Sequence, residues 1–204
     1  NTAFKSVDGV LFNMTGSSLL LYPAAHGSSY AVPDGTMTIG DYAFAYAKIQ
    51  SIDLNHIQVI GSSAFYCSGL KTLNIPDSVI TMGGGAFSGN YNLSQLTIGS
   101  GLTNISDTAF YGTMSLESVT IPSNIETIGQ KAFEKSGLQT LTFAEGSKLK
   151  VIGVEAFRKC CLREIAIPKS VNTIRGSAFI ENIYMEAVLF TEDSELIEIG
   201  DSAF

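Results

Sequence analysis

Tryptophan is absent from the 204 residues, histidine occurs twice and cysteine three times. His26 and His56 are far too few for a histidine-rich metal cage or a Ser-His-Asp device. There is no H-E-x-x-H, no paired C-x-x-C and no D-x-D-x-D-G loop. No cofactor, metal or catalytic residue is therefore expected. Three cysteines cannot build a disulfide framework. Cys160 and Cys161 are adjacent and Cys67 is remote, so all three are expected to be buried free thiols acting as small hydrophobes. Charge is also scarce, at 15% of residues against roughly 25% in ordinary soluble domains. The 12 basic and 19 acidic groups leave a net charge of −7, which excludes a general nucleic-acid binder. Apolar runs such as Leu19-Leu20-Leu21-Tyr22 are strand-sized, far below the roughly 18 residues of a membrane helix. No initiator Met, basic n-region or signal-like apolar segment opens the chain, so an interior piece of a longer or processed protein is expected.

What the chain has in abundance is repetition. Ala-Phe recurs with its Phe at 4, 44, 65, 87, 110, 133, 157, 179 and 204. After a first gap of 40, the steps run from 21 to 25 residues. Five residues before each Phe from 44 onward stands Ile or Met: Ile39, Ile60, Met82, Ile105, Ile128, Ile152, Ile174 and Ile199. Gly follows in six of these eight units, the exceptions being Ser106 and Arg175. A second block, L-x-x-[LIV]-x-[ILF], keeps its own spacing, as in Leu70/Leu73/Ile75-Pro76 and Leu116/Val119/Ile121-Pro122. Length varies only after the Phe and between the blocks, as at Ala144–Leu149 and Thr191–Leu196. Fixed spacing within blocks and slack between them means packed elements joined by surface turns.

The last two apolar residues of the second block are two apart, so they share one face of a strand. One such turn of about 22 residues cannot bury that face, but stacked turns with parallel strands about 4.8 Å apart can. Pro after the strand ends the pairing. Gly after the Ile allows a tight turn or positive φ. Phe fills the interior opposite the strand, and Ala before it is small where the chain packs closely. The expectation is a solenoid of about eight stacked turns with a parallel sheet.

The pattern L-x-x-I-x-I-P-x-x-V-x-x-I-G-x-x-A-F resembles the BspA-like, or treponemal-type, leucine-rich repeat. Residues 115–133, SLESVTIPSNIETIGQKAF, nearly match that family's consensus. The position three after the Phe is often Cys in the family; here only Cys160 occupies it, and Cys67 lies one residue early. Residues 4–44 resemble a family element in which a D-G-V-L-[FY] strand and an L-x-x-Y-P strand form an inserted β-hairpin, with Asn13–Ser18 as its loop. The resemblance covers essentially the whole chain. It implies a leucine-rich-repeat solenoid forming a curved right-handed superhelix over 1–204. Residues 4–44 are its atypical first repeat and 45–204 the regular ones. It also implies an extracellular or cell-surface, virulence-associated protein engaged in adhesion to host matrix proteins or other cells. The chain stops within a unit at Phe204, so further repeats or another domain beyond it are expected, with weak end-to-end contact of an otherwise monomeric protein.

Two candidate surfaces emerge. The outward strand positions form two columns, and Ser51, Asp53, Thr72, Asn74, Gln95, Thr97, Ser118, Thr120, Thr140 and Thr142 are the candidate ligand-binding face. From Thr72 to Thr142 the face is an uncharged ladder of hydroxyls and amides, suited to cross-strand hydrogen bonds or to a protein or glycan partner. The second surface follows from uneven charge. Residues 131–175 carry nine basic and four acidic groups, whereas 176–204 carry none basic and seven acidic. Lys131, Lys135, Arg158, Lys159 and Arg175 make a candidate basic patch, alternatively a band that pairs with the acidic end. The eight tyrosines fall in no single column of the repeat, which argues against a sugar-stacking platform. Three N-x-[ST] sequons stand at Asn13, Asn92 and Asn104. The expected function is a non-enzymatic interaction module, without nucleic acid or membrane insertion. A structural stalk and an accessory module of a larger secreted enzyme are the alternatives.

Overall fold

Stacking of the repeats is visible in three separate lines of backbone hydrogen bonds. The computed structural model describes residues 2–204. Among them there is no helix: every turn consists of a long strand, a two-residue strand and a tight arm that carries Ala-Phe. The long strands pair in parallel with no stagger, two by two: Thr72–Ile75 with Gln95–Ile98, and Ser118–Ile121 with Thr140–Phe143. The Ile of I-G-x-x-A-F lies in short strands such as Val59–Ile60 and Thr127–Ile128, which form a second parallel ladder across the core. The repeat thus folds around two parallel ladders, where the spacing alone reads as one. Pro76, Pro122 and Pro168 end long strands and open a turn, their carbonyls accepting from Val79, Ile125 and Val171.

The Ala-Phe arm supplies the third line. Phe44, Phe65, Phe87, Phe110, Phe133, Phe157 and Phe179 each donate their N–H to the carbonyl of the Ala one repeat later, at 2.6–2.9 Å. Residues two before the Phe, and two after it as far as Lys159, donate likewise to the next turn, and they do so in the left-handed region. Tyr42, Ser63, Gly85, Thr108, Lys131, Glu155 and Ser177 precede the Phe with φ between 52° and 63°. Tyr46, Cys67, Gly89, Gly112, Lys135, Lys159 and Glu181 follow it with φ between 48° and 74°. The glycine after the Ile has no such φ; it is required by close approach. A Cβ on Gly129 falls 2.7 Å from Asp107 N, and on Gly153 2.7 Å from Gly129 C.

Inside, the eight phenylalanines of the Ala-Phe dipeptides from 44 to 204 form one stack with centroids 4.7–5.6 Å apart and near-parallel rings. Offset parallel rings at this distance add about 0.5–1.5 kcal/mol per pair beyond burial. Tyr22 continues the stack at the N-terminal end, 4.7 Å from Phe44. Beside the stack runs a buried polar column three residues after the Phe in the turns from Phe65 to Phe179, with Ala47 in its place after Phe44. Asn90 Nδ2 donates to the Phe65 and Phe87 carbonyls, and Asn182 Nδ2 to those of Phe157 and Phe179. Thr113 Oγ1 donates to Phe110 O and Cys160 Sγ to Phe133 O. Asn90, Cys160 and Asn182 thus staple one turn to the one before it, while Thr113 satisfies its own turn. Burial pushes the Cys160 thiol up to about 12, against the opposing hydrogen bond with Ser136. Cys67 and Cys161 are only half-buried, so just one of the three thiols sits in the core.

The expected N-terminal hairpin is present and longer than its motif. β1 (Phe4–Val7), β2 (Val10–Asn13) and β3 (Ser18–Leu21) form an antiparallel meander, and β3 then pairs in parallel with Thr38–Ile39. Asp8 and Gly9 make the first turn with φ of 48° and 80°, the left-handed pair that a two-residue hairpin needs. Asn13 Oδ1 accepts from the Gly16 and Ser18 N–H groups and closes the second.

Candidate interaction surfaces

The long-strand ladder places the predicted ligand-binding residues in two outward columns. Thr72 stands opposite Gln95 and Asn74 opposite Thr97; Ser118 stands opposite Thr140 and Thr120 opposite Thr142. Ser51 and Asp53 stand opposite Ser29 and Ala31 at the N-terminal end. All ten are exposed except half-buried Ser51. The Thr120 and Thr142 hydroxyls share a 2.8 Å hydrogen bond, and Asp53 accepts from the Asn55 N–H at 2.9 Å. An open recess of about 660 Å³ spreads over Thr97, Ser118, Thr120, Thr140 and Thr142. A second of about 480 Å³ lies by Asp53, Asn55 and Asn74. Beyond Thr142 the columns change to Glu164, Ala166, Ala187 and Leu189. There a third recess, about 450 Å³ and lined by Leu141, Phe143, Ile167 and Pro168, opens beside the long 144–149 turn.

The basic band sits on the arms and turns and is largely matched by carboxylates of neighbouring repeats. Lys131 meets Glu155 at 3.0 Å, Arg158 meets Glu155 and Glu181 at 2.9 and 2.7 Å, and Lys159 meets Glu181 at 3.2 Å. Arg175 pairs with Glu198 at 3.4 Å, Lys150 with Glu195 at 3.0 Å and Lys169 with Asp193 at 3.1 Å. The hydrogen bond from Lys131 holds Glu155 below its usual range, and that from Arg158 does the same for Glu181. Glu134 is buried between Lys131 and Arg158, with one oxygen lacking a hydrogen-bond partner. Lys135 alone of the five predicted residues turns to a phenol, donating to Tyr111 Oη at 2.6 Å.

The arm edge carries residues that the repeat register hides. Tyr46, Tyr66, Tyr91 and Tyr111 follow their Phe by two, one, four and one residues, yet the fold brings them onto the same edge in successive turns. The rings of Tyr46 and Tyr66 lie 5.4 Å apart, edge to face. The Tyr66 phenol is held above its usual value, first by its hydrogen bond with Cys67 and then by neighbouring Tyr46 and Tyr91. The eight tyrosines fall in no single column of the repeat, yet these four share one side of the solenoid: variable turn length after the Phe shifts their register but not their side. The two histidines are exposed, His26 packing edge-on against Tyr22 at 5.1 Å. No group of three or more His, Cys, Asp or Glu among the described residues is placed to hold a metal, and none of the described residues forms a helix able to cross a membrane.

Comparison with known proteins bears directly on this geometry. The model of the BspA type leucine rich repeat region matches residues 26–115 and 103–204, in six copies. A leucine-rich repeat protein from Eubacterium ventriosum is similar at 28% identity and a TM-score of 0.82, covering 89% of this chain and 50% of that one. A leucine-rich cell surface protein from Faecalibacterium prausnitzii is similar at 25% identity and a TM-score of 0.51, over 93% of this chain and 40% of the other. The leucine-rich repeat protein of T. pallidum shares the fold, with 22% identity, a TM-score of 0.63 and coverage of 90% and 77%. The chain thus spans about half the length of the E. ventriosum protein. No curated protein matches it. With the repeat matched along nearly its whole length, the two ladders and the phenylalanine stack in place, the chain belongs to the BspA-type leucine-rich repeat family.

Proposed function

We propose that the chain is a non-enzymatic adhesion module of a cell-surface or secreted protein, and that it engages host matrix or cell-surface proteins through its long-strand face. One observation carries this reading. Eight outward residues from Thr72 to Thr142 form an uncharged hydroxyl and amide surface, in register within each strand pair, and five of them line an open recess. Such a surface offers many adaptable hydrogen bonds and no reactive group. Each contact is weak, and a rigid array adds them along its length; copies on one cell surface add avidity. The similarity to a protein described as a cell surface protein supports the location. The basic band supports it less well as a binding site, because its cations are mostly satisfied within the fold.

The test is biosensor binding to matrix proteins and mucins at low salt and at about 0.5 M, where exposed charge is largely screened. Saturable binding that survives salt and is lost in Thr97→Arg/Thr120→Arg is expected. Binding abolished by salt moves the site to Lys131–Arg175. The absence of any binding makes the chain a spacer, and the reading fails.

A further inference from the structure

The arm edge divides into two halves of different chemistry. From Glu134 onward the arms carry charge, Glu134 and Lys135, then Arg158 and Lys159, then Glu181, and all of these but Lys135 are ion-paired. That is what this edge holds when solubility and contact between turns are the only demands. In the four turns before it the same edge holds Tyr46, Tyr66, Tyr91 and Tyr111. Tyr46 is 65% and Tyr91 52% exposed, and Tyr66 and Tyr111 are half-buried. Residues 45–48, 66–69, 88–92 and 111–114 contain no carboxylate and a single cation, Lys48. Lys135 closes the other end. Gly89 and Gly112 occupy left-handed positions that other turns give to side chains, and their missing side chains leave room for the Cys67 thiol over Gly89 and the Tyr91 ring over Gly112. Tyr91 Cε1 lies 3.6 Å from where a Gly112 Cβ would stand, so this ring rests over glycine. Exposed aromatic area in consecutive turns is a cost to a surface that has no use for it.

We propose that this tyrosine edge binds a neutral polysaccharide chain lying along the solenoid axis. It is a surface separate from the long-strand face. The chemistry fits in three respects. Aromatic faces take the C–H faces of pyranose rings, while phenol hydroxyls and the exposed Asn92 amide supply hydrogen bonds to sugar hydroxyls. The near absence of charge across the row suits a ligand that brings none. The rise per turn, fixed by the phenylalanine stack at 4.7–5.6 Å, is comparable with the length of one pyranose unit, so the exposed rings of Tyr46 and Tyr91, two turns apart, fall in step with every second sugar, while Tyr66 meets Tyr46 edge to face. A protein side chain needs a recess to fill, and the recesses described above lie on the strand face instead.

The experiment exploits the missing tryptophan: intrinsic emission comes from tyrosine, and four of the eight tyrosines lie on the edge. The chain is titrated with a β-1,3-glucan, a β-1,4-glucan oligomer, an α-1,4-glucan and a β-1,4-mannan, followed by tyrosine emission and by calorimetry. Saturable binding of at least one, unchanged in about 0.5 M salt, is expected. Tyr46→Ala/Tyr91→Ala is expected to weaken it roughly tenfold or more, while Tyr46→Phe/Tyr91→Phe retains most of it. Both sites are exposed, so neither variant disturbs the core. Thr97→Arg/Thr120→Arg is expected to leave sugar binding intact, which separates this surface from the strand face. Failure of all four polysaccharides to bind overturns the proposal. So does binding that the alanine variant leaves unchanged, or binding that salt removes.

Discussion

Thr108 and Gly153 put the same backbone question in opposite forms. Thr108 is β-branched and held at φ 53°, where an L-residue other than glycine is disfavoured by about 1–2 kcal/mol. Its hydroxyl only reaches the carbonyl of its neighbour Asp107. Thr108→Gly is expected to stabilise the chain by about 0.5–1 kcal/mol, part of the relief being offset by glycine's larger unfolded-state entropy. Gly153 has no unusual φ, yet a Cβ there lies 2.7 Å from Gly129 C and Ile128 O. Gly153→Ala is expected to cost about 1–3 kcal/mol by overpacking. Urea denaturation of both variants decides it: shifts of the same sign sink the assignment. The sequence displays the I-G-x-x-A-F spacing plainly, but it cannot say which of two reasons selects a glycine. Only the contact between turns shows that close approach fixes Gly129 and Gly153, and that ordinary side chains bear the left-handed strain.

The long strands were legible because four residues suffice to display a period of two, and their register follows from burying Leu73, Val119 and Leu141 together. The short strands were not, since two residues carry no periodicity. Their own ladder is interrupted once. Gly83, Gly129, Gly153 and Gly200 each donate their N–H to the Ile carbonyl of the preceding turn at 2.8 Å. The short-strand ladder stops between Thr81–Met82 and Asn104–Ile105. There Ser106 stands in place of glycine, and its hydroxyl donates to Met82 O instead. Gly83-Gly84-Gly85 follows Met82 in the same gap. A side-chain bond replacing a ladder bond, beside three residues with no side-chain packing, predicts the lowest local opening energy of the interior turns. Hydrogen exchange is expected to be faster at 81–86 and 103–106 than at 127–129 and 151–153, and faster still in Ser106→Ala. Equal protection across these segments contradicts the idea. The tyrosine edge escaped the sequence for a related reason: arms of unequal length blur a register that the fold restores.

All ion pairs among the described residues lie between Lys131 and Glu198, so the two halves of the molecule are held by different means. The first half relies on the phenylalanine stack and backbone ladders, with little charge. The second adds a mesh in which basic arms meet carboxylates from the following turns. Glu155 is held below its usual range by Lys131, Glu181 by Arg158, and Asp193 first by Thr191 and then by Lys169. A depressed carboxyl contributes in full above the ordinary carboxylate range, and the contribution fades as pH falls through the depressed value. Lys131 runs the other way: held above its usual value by Glu155, its share is complete below the ordinary lysine range and is lost only in strong alkali. The mesh therefore fails in acid and stays intact through neutral pH. Exposed pairs contribute little singly. Arg158, however, bridges Glu155 and Glu181 and also faces buried Glu134, so protonation of its two anchors loosens three turns together. Because each turn of a solenoid contacts only its neighbours, that loosening stays in its own half. Hydrogen exchange followed from pH 7 toward pH 3 is expected to show protection falling first across residues 131–201, while 44–110 keep theirs. About 1 M salt at neutral pH is expected to reproduce part of the effect by screening the exposed pairs. Loss that begins in the first half, or runs evenly along the chain, means that the ion pairs decorate the solenoid without holding it.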